Sequence, residues 1–168
     1  MTKFLLVLHV LAAIVAVGPV TVAASMFPPS ARRALADPGD PRASETVRLL
    51  HRICRVYAGL GIAVPVLGLA TALSMGVLGD AWLIVSIALT GLAAAVLLAL
   101  VLPRQEELLE AAETASETAE AAAPSGTTEV AANPRATAQL AMFTGIFNLL
   151  WATVTILMIV RPGSTTGA

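Results

Sequence analysis

The stretch Phe4–Met26, FLLVLHVLAAIVAVGPVTVAASM, decides how this chain is read. It is apolar almost throughout, and ~20 helical residues are enough to cross a ~30 Å hydrocarbon core. Three further stretches share the pattern, at Arg55–Met75, Ala81–Leu102 and Thr137–Val160. Lys3, the apolar run and the small residues Ala23-Ala24-Ser25 could also open a secretory signal peptide. The run continues to Phe27, however, longer than the ~7–15 residues of a signal core, so we read it as a transmembrane helix.

The bulk composition agrees. Of 168 residues 57% are hydrophobic and 12% charged, about half the charged fraction of a soluble domain. The polar segments, residues 27–54 and 103–136, are too short to build a hydrophobic core of their own. The expectation is one membrane domain over residues 1–168: all-α, an antiparallel four-helix bundle. A net charge of −1 gives no reason to expect nucleic acid. A single cysteine, Cys54, excludes an internal disulfide and any multi-cysteine metal site. Nine arginines to one lysine, with abundant alanine, suggest a GC-rich bacterial genome.

Charge placement predicts orientation. Of ten Lys and Arg residues, only Lys3 and Arg161 lie on the side of the termini, and the other eight lie in or beside the two long polar segments. The positive-inside rule puts those segments in the cytoplasm and both termini outside, in the cytoplasmic membrane of a bacterium. Pro28-Pro29 and DPGDP (Asp37–Pro41) read as breaks, with Ser44 as the N-cap of a helix entering the second span. The acidic segment over 104–130 begins with good helix formers that extend the third helix. Past Pro124, Ser125 and Gly126 it reads as a solvated linker. Gly18-Pro19 is expected to bend the first helix. Close packing is expected at Gly59, Gly61, Gly68, Gly91, Ala93–Ala95 and Gly145, and the glycines of the second span also suit a homodimer.

One ionisable residue sits inside a span. His9 is on the order of 8 Å below the outer edge of the first helix at ~1.5 Å per residue, where a titratable group needs a partner or a purpose. Thr71, Ser86 and Thr155, with Met158 slightly higher, fall at similar depth on the other three helices. They could form a layer of hydroxyls around the imidazole. A hydrogen-bonded packing histidine, a haem or metal ligand, and a proton- or quinone-handling group are all consistent with this placement. Arg48, His51, Arg52 and Arg55 share one helix face at the cytoplasmic boundary and suit anionic lipid headgroups. His9 and His51 lie near opposite surfaces and cannot both ligate one haem. Phe143, Phe147 and Trp151 form a stripe on the last helix, with Asn148 beside it near mid-membrane, while Trp82 and Tyr57 suit interface anchors. No acidic group stands inside a span, which argues against a proton-coupled transporter.

The segments FLLVLHVLAAIVAVGP (4–19), RVYAGLGIAVPVLGLA (55–70), AWLIVSIALTGL (81–92) and FNLLWATVTILMIVRP (147–162) resemble, in order, the four helices of the bacterial HemJ/CopD superfamily. The whole chain also resembles a bacterial family of predicted integral membrane proteins of unknown function. The first resemblance implies haem-linked protoporphyrinogen oxidation or copper handling, with His9 matching a haem b ligand of the first helix. The HemJ pattern places a histidine after Trp-Leu and a lysine shortly beyond; here Ile84 follows Trp82-Leu83, and Ser86 stands at the lysine position. The site is therefore incomplete. The reading that best fits the residues is a small non-catalytic membrane protein, an accessory or assembly subunit beside other membrane proteins. The alternative is a haem- or metal-binding protein built on His9.

The orientation is open to a direct measurement. A phosphatase reporter fused after Ala168 should be active, and the same reporter inserted in residues 122–133 should be inactive; the reverse pattern would invert the topology.

Overall fold

The computed structural model describes residues 1–121 and 134–163. Among them the chain is helical: α1 (Thr2–Ala36), α2 (Pro41–Leu60), α3 (Ala63–Met75), α4 (Ala81–Val96), α5 (Leu102–Ala121) and α6 (Pro134–Val160). Residues Leu97–Val101 form a π-helical turn that joins α4 to α5 without a break. The helices make four runs long and apolar enough to cross a membrane: Thr2–Ala36, Pro41–Met75, Ala81–Ala121 and Pro134–Val160.

Prolines shape these runs, though not always by ending them. Pro28 and Pro29 do not stop the first helix, as the sequence suggests, and α1 runs on to Ala36. A proline in a helix costs one hydrogen bond and a clash with the preceding turn. Here packing outweighs that cost, because Phe27, Pro28, Ala31, Ala34 and Leu35 are all buried against neighbouring helices. The second span breaks in a place that its apolar run does not announce. Pro65 has no N–H to offer the Gly61 carbonyl, and the chain steps at Gly61–Ile62 between α2 and α3. Pro103 similarly leaves the Ala99 carbonyl without its usual donor, just where the helix widens into the π turn.

The start of α2 lies earlier than Ser44. Asp40 is the N-cap, its carboxylate accepting from the Arg42 amide at 3.0 Å, and Pro41 takes the first helical position. Ser44 is already inside the helix, donating its hydroxyl to the Pro41 carbonyl at 3.0 Å. Pro134, inside the polar segment 103–136, is the first residue of α6. The expected linker residues Pro124, Ser125 and Gly126 lie outside the described residues.

α1 is the hub. Its alanines 16, 23, 24, 31 and 34 are buried, and the main core gathers around the last four with Phe27, Val47, Leu140 and Phe147. Small residues allow backbones to approach where lipid provides no hydrophobic drive. The glycines expected to do this mostly do not. A side-chain carbon at Gly59, Gly91 or Gly145 would meet nothing within 4 Å, whereas Gly68 and Ala93 are packed. Pairings fix the relative course of the helices. Thr2 meets the Ser74 carbonyl and His9 meets that of Val64, so numbering falls along α3 as it rises along α1.

α2 and α5 carry the pairing beyond the apolar segments. α2 buries Ala43, Val47, Leu50 and Cys54, and α5 buries Gln105, Leu108, Ala112 and Ala115. Apolar positions recurring every three or four residues make a coiled-coil seam. Gln105 donates to the Cys54 sulfur at 3.5 Å, and Arg48 pairs with Glu113 at 2.8 Å. This seam changes the reading of the basic face. His51 is buried and turned to the packed side of α2, while Arg52 and Arg55 remain exposed. The sequence suggests a single headgroup-facing surface; the long extension of α5 instead covers one flank of it.

The turn between α3 and α4 depends on Gly76, whose φ of 71° lies in the left-handed region. Gly76→Ala is expected to cost about 1 kcal/mol. Gly79→Ala, at a position with open space, should be near neutral, as thermal melts in detergent would show.

Candidate functional site

His9 lies on the face of α1 turned to α3, and two features of α3 receive it. The Val64 carbonyl, in the first turn of α3, stands 3.0 Å from Nδ1. A carbonyl only accepts, so Nδ1 carries the hydrogen and donates it, and neutral imidazole then keeps its lone pair on Nε2. Gly68 lies one turn further along. A side-chain carbon there would come within 2.9 Å of Cε1 and 3.3 Å of Nδ1, so the ring occupies the space that glycine leaves. The residue is 8% exposed. The only histidine inside an apolar stretch therefore acts as a strut that joins two helices by one hydrogen bond and a close backbone approach.

The hydroxyls expected around it are committed elsewhere. Thr71 donates to the Leu67 carbonyl at 2.7 Å, Ser86 to Trp82 at 2.8 Å and Thr155 to Trp151 at 2.9 Å, each within its own helix. Thr71 and Ser86 are buried and Thr155 is exposed. Met158 is half-buried, and its carbonyl accepts from the Arg161 guanidinium at 3.3 Å. The imidazole bonds main chain, an acceptor that residue types cannot reveal.

The aromatic residues also make contacts within the protein. Trp82 is buried beside Ala72 and Leu83, donates from its indole N–H to Asp80 at 2.9 Å, and carries the Arg161 guanidinium 5.6 Å above its ring. That contact ties the end of α6 to the start of α4 as a cation–π pair. Tyr57 is half-buried against the main core. Phe147 is buried and meets Trp151 edge-on, with centroids 6.3 Å apart.

A second polar place was only partly visible in the sequence. Asn148 on α6 donates from Nδ2 to the Ser25 hydroxyl on α1 at 3.2 Å. Ser25 stands one residue before the end of the apolar stretch 4–26, so this bond brings the middle of the fourth apolar stretch beside the end of the first. A cavity of about 320 Å³ opens beside this bond between α1 and α6, and Arg32 and Thr144 also line it. Among the described residues no group of three or more His, Cys, Asp or Glu side chains is placed to hold a metal ion.

Residues 3–162 match the family described as predicted integral membrane protein (DUF2269). The chain belongs to this family. Its four apolar helical runs are what such a protein requires. No curated protein and no solved structure matches the chain.

The strut makes a specific demand on α3. Gly68→Ala should push the imidazole off the Val64 carbonyl and cost ~1–3 kcal/mol, read as a lower melting temperature in detergent. Adding His9→Ala should make the double variant's loss smaller than the sum of the single losses, because the two side chains share one space. Additive losses would show that the contact does not couple the helices.

Proposed function

We propose that this DUF2269 protein is a non-catalytic component of the bacterial cytoplasmic membrane, an accessory or assembly subunit that packs beside other membrane proteins. In this reading the four helical runs form an antiparallel bundle with both termini outside and both long polar segments in the cytoplasm.

One observation carries it. On α4 the buried side is made by Trp82, Leu83, Ser86, Ala93 and Val96, and the opposite side exposes Ala88, Gly91 and Ala95. These three fall on one helix face, and the space above Gly91 is open to at least 4 Å. Such a face suits the close approach of another transmembrane helix, because small side chains let dispersion and backbone contacts form at short range. The surroundings of His9 support the same reading. Its hydrogen bond and its glycine seat are structural, as are the bonds of Thr71 and Ser86 to their own helices.

Haem b, which the HemJ/CopD resemblance implies, has one feature in its favour: donation from Nδ1 to a carbonyl leaves Nε2 of His9 with a lone pair. The residues around it do not complete a haem site. Gly68 is filled by the imidazole itself, the hydroxyls of Thr71 and Ser86 donate within their own helices, and the cleft beside Ser25 and Asn148 is not lined by His9. No haem chemistry follows from this geometry.

Extraction in mild detergent followed by native mass measurement tests the proposal. The wild-type chain is expected in species heavier than the monomer, and Gly91→Leu should deplete them at least severalfold. The melt of the chain itself should stay within about 0.5 kcal/mol. A lone wild-type chain would overturn the subunit reading. So would a Soret absorption band that disappears in His9→Ala, which would install the haem reading instead.

A further inference from the structure

The cleft between α1 and α6 holds polar groups that the protein does not itself satisfy. Thr144 is 3% exposed, yet its hydroxyl has no partner, unlike Thr153 and Thr155 on the same helix, whose hydroxyls donate to Leu149 and Trp151. The Oδ1 atom of Asn148 is also buried without a partner. Its orientation follows from a chain of donors. The Ser25 hydroxyl gives its hydrogen to the Thr21 carbonyl at 2.7 Å, so it can only accept from Asn148, which places Nδ2 on Ser25 and leaves Oδ1 free. Pro28 and Pro29, both on the cleft, lack N–H groups and so free the carbonyls of Ala24 and Ser25 as further acceptors. Unpaired polar groups beside hydrocarbon are costly, so a ligand that supplies hydrogen-bond donors is favoured here.

The opposite end of the cleft is cationic. Arg32 lines it, is exposed, and belongs to neither of the two ion pairs among the described residues. It stands roughly 10 Å along α1 from Ser25 at ~1.5 Å per residue. Thr144 lies one turn of α6 from Asn148, on the same cleft. From the edge of the apolar stretch outward the order is therefore an orphan acceptor, a free hydroxyl and a guanidinium.

We propose that this cleft binds an anionic monoacyl phospholipid, with the free glycerol hydroxyl donating to Asn148 Oδ1, the phosphate accepting from Thr144 and pairing with Arg32, and the single acyl chain running out between α1 and α6 into the bilayer. The free hydroxyl is what distinguishes the ligand. A diacyl lipid presents only ester oxygens at that depth, and these are acceptors facing an acceptor. The phosphate is the natural partner for an arginine at the bilayer surface. This inference is independent of the subunit reading, which concerns the far side of α4.

Native mass measurement of the purified protein, titrated separately with monoacyl phosphatidylglycerol, diacyl phosphatidylglycerol and inorganic phosphate, tests it. The monoacyl lipid should bind at least about tenfold more tightly than the diacyl lipid, and phosphate alone should not be retained. Arg32→Gln, an exposed change that leaves the packing intact, should weaken both lipids about tenfold. Asn148→Leu should abolish the preference between them. Because Asn148 also bonds Ser25, its variant is interpreted only beside a melt showing a folded chain, and Thr144→Val provides the parallel measurement, with weaker binding of both lipids. Equal affinity for the two lipids, or no effect of Arg32→Gln, would overturn the proposal.

Discussion

Hydrocarbon accepts no hydrogen bonds, and each departure from a plain helix in this chain is an answer to that constraint. Where proline removes an N–H, the structure responds differently according to what surrounds it. At Gly61–Ile62 the helix steps, before Pro103 it widens by a π turn, and at Pro28-Pro29 it continues unbroken. The last case leaves carbonyls that need donors, and it coincides with the cleft where Thr144 and Asn148 also have unpaired atoms. His9 meets the same constraint by donating to a main-chain carbonyl of the neighbouring helix. A buried polar group in lipid is tolerated when its partner is built into the backbone, and becomes a candidate binding group when it is not.

The second organising element stands where the apolar stretches give way to charge. α2 and α5 continue as a paired seam, joined by Gln105 to Cys54 and by Arg48 to Glu113. The ion pair is largely solvated and contributes at most about 1 kcal/mol, so the buried apolar positions hold the pair. They also explain why His51 turns inward while its arginine neighbours stay exposed. The Nδ1 of His51 and the Oε1 of Gln105 are buried without partners, a local cost carried by the packing around them.

Legibility varied by feature, for physical reasons. The four apolar stretches were readable because hydrocarbon demands long uninterrupted apolar helices, and composition alone reports that demand. Helix limits were less readable. Proline signals a break only if packing does not compensate, and nothing in Pro28-Pro29 announces that Ala31, Ala34 and Leu35 will be buried. The site around His9 was half legible. The residue stands out as the only ionisable group within the apolar stretch 4–26, whereas its partners, a carbonyl and an absent side chain at Gly68, have no residue-type signature. Asn148 stood out for the same reason as His9, yet its partner Ser25 required the course of α1 past α6.

Sequence by itself determined that the chain is helical, that it has four segments able to span a bilayer, and that His9 and Asn148 are the polar residues within them needing an explanation. It could do so because burial in lipid is a property of a segment's own composition. Tertiary structure alone decided which small residues pack, that α1 is the hub, that His9 rests on Gly68, and that a polar cleft opens at paired prolines. Those outcomes depend on which backbone lies opposite each side chain, and that distance is set between helices, where no single stretch of sequence can specify it.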